Sequence, residues 1–340
     1  MIFTRYLYIK EEVEYALLLS LLKRNKQQST FWFYELYESG FEDLIDWLQK
    51  IYYDFYFTNN TQLLSTNSIE LFNNLCDAEY SNLDIYLLRN SKDSKDSKDS
   101  KDSKDSKSNE YNEDTQYEDF SLWLEERNYK QLGNYILYQC DEILLPYIHK
   151  VISKYFSITI KQVEHKYKRI HYLGIIISQD TKQKIKPINI PINIPIKKEI
   201  KLTVSEVCKP YKILAKECKY CIDEYNYLCL FELERKTIDH KEIVNRYYNQ
   251  WLYYASFSLL WKRRIEKYNG IICHETKQVL FSEENNNFDE FYSLYNYEPD
   301  EQKREVYGKS ICILQDNKIQ THFYDEFCGN GLVNANMLIC

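Results

Sequence analysis

With 340 residues, 44% hydrophobic and 28% charged, and a net charge of -7, the chain can bury a sizeable core but is too acidic to coat nucleic acid or an anionic membrane with its whole surface. It holds 33 Tyr against 7 Gly and 6 Pro, a bias toward residues with A/T-rich codons, so a scattered tyrosine carries little functional information. Ten irregularly spaced cysteines, and an N-terminus where three glutamates precede a short apolar run at 15–22, predict free thiols in an intracellular protein, with no stretch long and apolar enough for membrane insertion.

From Glu11 to about Lys26, the residues Val13, Ala16, Leu17, Leu19 and Leu22 recur at three- and four-residue steps, with acids first and bases last. This predicts a first helix. Gln27 to Thr30 offers capping residues for a second helix, from Phe31 to a stop at Ser39-Gly40. A third follows through Leu44, Ile45, Leu48, Ile51, Tyr52 and Phe55, and three helices with short loops make an antiparallel bundle or stacked hairpins. Weaker helical patterns lie at Ile69 to Leu75 and Leu83 to Leu88. Residues 91–108 repeat Ser-Lys-Asp with no apolar residue, which predicts a disordered insert.

Helical patterning resumes at Tyr117 to Arg127 and at Gln131 to Phe156, where Pro146 is expected to kink or divide the helix. The β-branched content rises at 158–160 and 173–178. From Thr181, TKQKIKPINIPINIPIKKEIKL carries three prolines at four-residue spacing and reads as an extended basic arm. Helices are expected again at 205–235 and, capped by Asp239, at 239–268; strand-like pieces at 278–281 and 310–314 flank an acidic segment. The fold class is therefore mainly α, a helical bundle or irregular helical array with a few short strands. Its divisions are 1–90 (N-terminal bundle), 91–109 (insert), 110–180 (helical region), 181–203 (basic arm) and 204–340 (C-terminal helical unit with an acidic, irregular tail).

Within the last helix, Trp251, Tyr254, Ala255, Ser258, Trp261, Ile265 and Tyr268 share one face, and Lys262, Arg263, Arg264 and Lys267 spread round the other. An aromatic stripe at this spacing reads first as a packing face. Were it exposed, Trp251, Trp261 and Tyr268 would form an interaction face for a protein partner.

Cys218 and Cys221 form one paired spacing where a structural zinc site needs two, so no metal is expected. No Walker lysine loop, dinucleotide-binding glycine motif or nucleophile elbow is present, so no cofactor is expected. His165 and His171 are six apart, not a same-face helical step. Between Lys150 and Lys219 there are 16 Lys plus Arg against 5 Asp plus Glu, a surplus of 11 that leaves the remainder near -18. That surplus has two readings. Lys182, Lys184, Lys186, Lys197 and Lys198, interleaved with Tyr155, Tyr167, Tyr172 and Tyr211, could bind nucleic acid. Alternatively, they could be matched internally by Glu283, Glu284, Asp289 and Glu290.

Phe31 to Phe41 (FWFYELYESGF), Trp251 to Gly270 (WLYYASFSLLWKRRIEKYNG) and Tyr295 to Gln302 (YNYEPDEQ) together resemble a family of proteins from giant, nucleocytoplasmic large DNA viruses with no assigned activity. The resemblance covers most of the chain and implies an origin, with the host cytoplasm or virion as its setting, rather than a mechanism. The leading expectation is a non-enzymatic structural or protein-interaction component. A nucleic-acid-associated factor using 150–219 is the alternative, and an enzyme of unrecognised class, which would need a pocket with converging polar groups, comes third.

Overall fold

A computed structural model describes residues 1–81, 83–90, 113–182, 238–282, 286–295 and 327. The protein is mainly helical, with two short strands among the described residues. The insert at 91–109, the arm beyond Lys182, the expected helix at 205–235 and the strand-like piece at 310–314 lie outside the described residues.

Packing divides the chain into two units that cut across the divisions expected from sequence. One comprises Met1–Leu48, Thr66–Asp77 and Asn193–Phe323; the other comprises Gln49–Ser65, Ala78–Ile192 and Tyr324–Cys340. Residues 1–90 fall partly in each unit.

In the first unit, α1 (Lys10–Leu22) and α2 (Lys26–Ser39) form a helical hairpin. Besides the recurring apolar residues of α1, Tyr15, Leu18 and Leu21 are buried, so the helix is enclosed nearly all round. Helix α2 begins before Phe31, because the Asn25 side chain, not Gln27 to Thr30, provides its N-cap by accepting from the Gln28 amide at 3.1 Å. Its end is where the Ser39-Gly40 signal placed it. Gly40 has φ 76°, and a Cβ there would meet the Leu259 Cβ at 2.8 Å, so both conformation and space require glycine. Phe33 of α2 stacks on Phe72 of α4 (Ser68–Asp77) at 4.0 Å between ring centroids.

The stretch read as one helix to residue 268 is three: α10 (His240–Asn249), α11 (Trp251–Ala255) and α12 (Leu259–Lys267). The Ser256 and Ser258 hydroxyls bond back to the carbonyls of Tyr253 (2.6 Å) and Ala255 (3.0 Å), and Ser258 then caps α12, so local serine bonds replace the continuing ladder. The stripe is nevertheless a packing face. Trp251, Tyr254, Ala255, Trp261 and Ile265 join Phe3, Ile9, Tyr247 and Phe291 in one core, with Tyr268 packed against it. Trp251 and Trp261 meet edge to face at 5.5 Å.

Residues 1–9 form a strap pinned to this core. Thr4 accepts from the Trp261 indole at 3.3 Å, the Phe3 amide donates to Tyr254 O at 3.2 Å, and Phe3 and Ile9 form an isolated bridge. The strand expected at 278–281 is β2 (Gln278–Leu280). Its antiparallel partner β1 (Ile271–Cys273) had no signal of its own, since three residues cannot show alternation. Helix α13 (Asn287–Tyr295) contributes Phe291 to the core.

Helix α3 (Leu44–Ile51) begins in the first unit and ends in the second, where a π-helical turn at Tyr52–Tyr56, α5 (Asp84–Asn90), α6 (Glu113–Glu125), α7 (Tyr129–Asn134), α8 (Leu145–Phe156) and α9 (Lys168–Lys182) follow in order. The expected helix at 131–156 breaks at Cys140-Asp141, after a π turn at Tyr135–Gln139 and before Pro146. Proline sits in the first turn of α8, where its missing N–H costs nothing. The β-branched run at 173–178 is the middle of α9, with Leu173, Ile176 and Ile177 buried. Tertiary burial there overrides intrinsic preference. Gly174 lets α9 approach Phe57, whose ring would lie 2.2 Å from an added Cβ.

Replacing Trp261 by Ala should cost roughly 3–5 kcal/mol, because it opens a large cavity in a core where this indole is fully enclosed. Urea unfolding checks this; a loss below about 1 kcal/mol would contradict the packing role.

Candidate functional site

The residues to which the sequence points lie in different places. Trp251 and Trp261 are 5% and 0% exposed, so their rings are taken up by intramolecular packing; Tyr268 is half-buried against the same core. Lys182 is the last residue of α9. Lys184, Lys186, Lys197, Lys198, Tyr211, Cys218, Cys221, Glu283 and Glu284 lie outside the described residues, while Asp289 and Glu290 occupy the first turn of α13.

What the structure does assemble from the basic region is the α8–α9 hairpin. Leu145, Ile148 and Ile152 bury one side of α8, which turns Lys150 and Lys154, one helical turn apart, to solvent. Ser157, at φ 54°, ends the helix in the left-handed conformation, and the Ile158 amide reaches back to Ser153 O at 3.0 Å. The connection then carries exposed Lys161, a short 3-10 turn at His165–Tyr167, and Lys168 at the start of α9. Arg169 donates to Ile136 O at 3.0 Å, a carbonyl in the π turn.

Carboxylates are sparse here. His165 pairs with Glu142 at 3.2 Å and Lys166 with Glu164 at 3.6 Å, both in solvent. Asp180 is buried and engaged by the Tyr129 hydroxyl at 2.6 Å and Arg127 at 3.3 Å. Among the described residues, Lys150, Lys154, Lys161 and Lys168 have no carboxylate partner. Three of the tyrosines nominated for stacking are described, and they differ. Tyr167 stacks on Tyr53 at 4.9 Å and Tyr172 is buried with its hydroxyl 3.4 Å from His149 Nδ1, whereas Tyr155 is 47% exposed. The four lysines were missed individually because the whole region read as basic. The 150/154 spacing opposite Ile148 and Ile152 was the available signal.

His171, set six residues from His165, is 7% exposed, faces Phe57 and Tyr53, and neither ring nitrogen has a hydrogen-bond partner. Burial, with nearby His149 adding to it, holds its pKa down at about 4. Among the described residues no group of three or more His, Cys, Asp or Glu is placed to hold a metal ion, and no helix is long and apolar enough to cross a membrane.

Compared with profiles of known protein families, with curated proteins and with solved structures, the chain matches none.

Because His171 is held neutral, the stability it favours is full above about pH 6.5 and is lost as pH falls toward 4. His171→Phe should flatten that acid limb by about 3 kcal/mol. Unfolding free energies measured from pH 7 to 4 check this; parallel curves for both proteins would contradict it.

Proposed function

We propose that the protein is a non-enzymatic interaction component that holds a polyanionic partner on the α8–α9 hairpin. The observation that carries this reading is the set of four lysines without carboxylate partners on a chain whose net charge is -7. An acidic protein gains little from leaving these cations unmatched unless an anion covers them. The resemblance of the three sequence stretches supports a large DNA virus as the source, with the virion or infected cell as the setting.

On immobilised heparin, a generic polyanion, the full chain should be retained at low salt and elute as salt rises. The variant with Lys150, Lys154, Lys161 and Lys168 all changed to Ala should pass through. Co-elution of variant and parent, or a parent that is never retained, would overturn the assignment.

A further inference from the structure

The hairpin carries one feature that an ionic site alone would not need. Tyr155 follows Lys154 in the last turn of α8, 47% exposed, with Phe156 edge-on at 4.8 Å and an interplanar angle of 82°. An edge-on neighbour fixes the plane of a ring without covering both its faces. A flat aromatic surface is thus exposed on the residue after Lys154, which itself stands about 6 Å from Lys150 along the helix axis.

Three polyanions would use this surface differently. An acidic peptide would satisfy the lysines and bring no planar group to the ring. Duplex nucleic acid would bring phosphates, but its bases are already stacked on one another. A single strand brings both, because its unpaired bases have free faces that stack on aromatic side chains. On the second exposed cationic helix the neighbouring ring, Tyr268, is half-buried against the core with Lys267 5.4 Å over it. On α12, Lys262, Arg263 and Lys267 are interleaved with Glu266, and Arg264 lies 4.5 Å over the rings of Trp261 and Tyr295.

We propose that the α8–α9 hairpin is a binding site for single-stranded nucleic acid, with Lys150, Lys154, Lys161 and Lys168 neutralising phosphates and an unpaired base stacked on Tyr155. This rests on the polyanion reading above and names its partner. Specificity for base identity is not part of it: a single ring and four point charges recognise a face and a backbone, not an edge.

The test is fluorescence anisotropy of the full chain with a labelled mixed-sequence single strand, the matching duplex and a poly-glutamate peptide. Single strand should bind most tightly. Four neutralised phosphates, each contributing about -0.7 to the salt slope, give a loss of about 50-fold between 50 and 200 mM salt. Tyr155→Ala should weaken the single strand about tenfold at unchanged slope, and Tyr155→Phe should restore it. Lys150→Ala with Lys154→Ala should instead roughly halve the slope. Equal binding of duplex or peptide, or indifference to Tyr155→Ala, would overturn the single-strand site while leaving the polyanion reading standing. No binding of any of the three would overturn both.

Discussion

A buried carboxylate holds the first unit together. Glu35 of α2 is fully enclosed, and it accepts from Arg5 Nε at 2.8 Å and from the Tyr6 amide at 3.0 Å. One turn later Ser39 accepts from the Arg5 amide at 2.9 Å. Burial pushes the Glu35 carboxyl up from its ordinary range, while Thr4, Arg5 and the Tyr6 amide pull it back. A charge in this position is tolerable only while every partner stays in place, which makes it a strict constraint on where residues 4–6 can lie. The strap so fixed presents the Thr4 carbonyl to Trp261 and sets Phe3 among Tyr247 and Tyr254. The positions of α10 to α12 against the N-terminal hairpin follow from it.

The chain's abundance of aromatic residues is accommodated by geometry rather than by special chemistry. The rings of the first unit meet mostly edge to face, from Tyr8 on Trp32 to Tyr268 on Phe291, an arrangement that suits the ring quadrupole and fills space between short helices. An A/T-biased composition therefore need not imply a use for each tyrosine. The informative ones are those that packing leaves out, and Tyr155 is such a residue.

Legibility from sequence followed the range of the interactions. Local signals held: Gly40 ends α2, Asp239 caps α10 by accepting from the Lys241 amide, and the 251–268 stripe faces a core. Signals that depend on competition between local bonds did not. The Ser256 and Ser258 hydroxyls break the stripe into two helices without disturbing its burial pattern, so periodicity alone could not reveal the break. The two π turns and β1 were invisible for the same kind of reason, being too short to show a period. Division into units was illegible because it rests on pairs such as Phe33 with Phe72, and Thr4 with Trp261, 257 residues apart. At the candidate site the charge surplus was legible but its placement was not, because Lys150 and Lys154 acquire meaning only once Ile148 and Ile152 are known to face inward.

Binding is proposed to lie on one helical hairpin of a chain whose net charge is -7. Ultraviolet cross-linking of the full chain to a single-stranded oligonucleotide, followed by peptide mapping, tests this most directly, since it reports which residue touches a base rather than how tightly anything binds. The expected adduct is on Tyr155, within the peptide between Lys154 and Lys161. Adducts confined to peptides of α10 to α13, or none at low salt, would contradict the account.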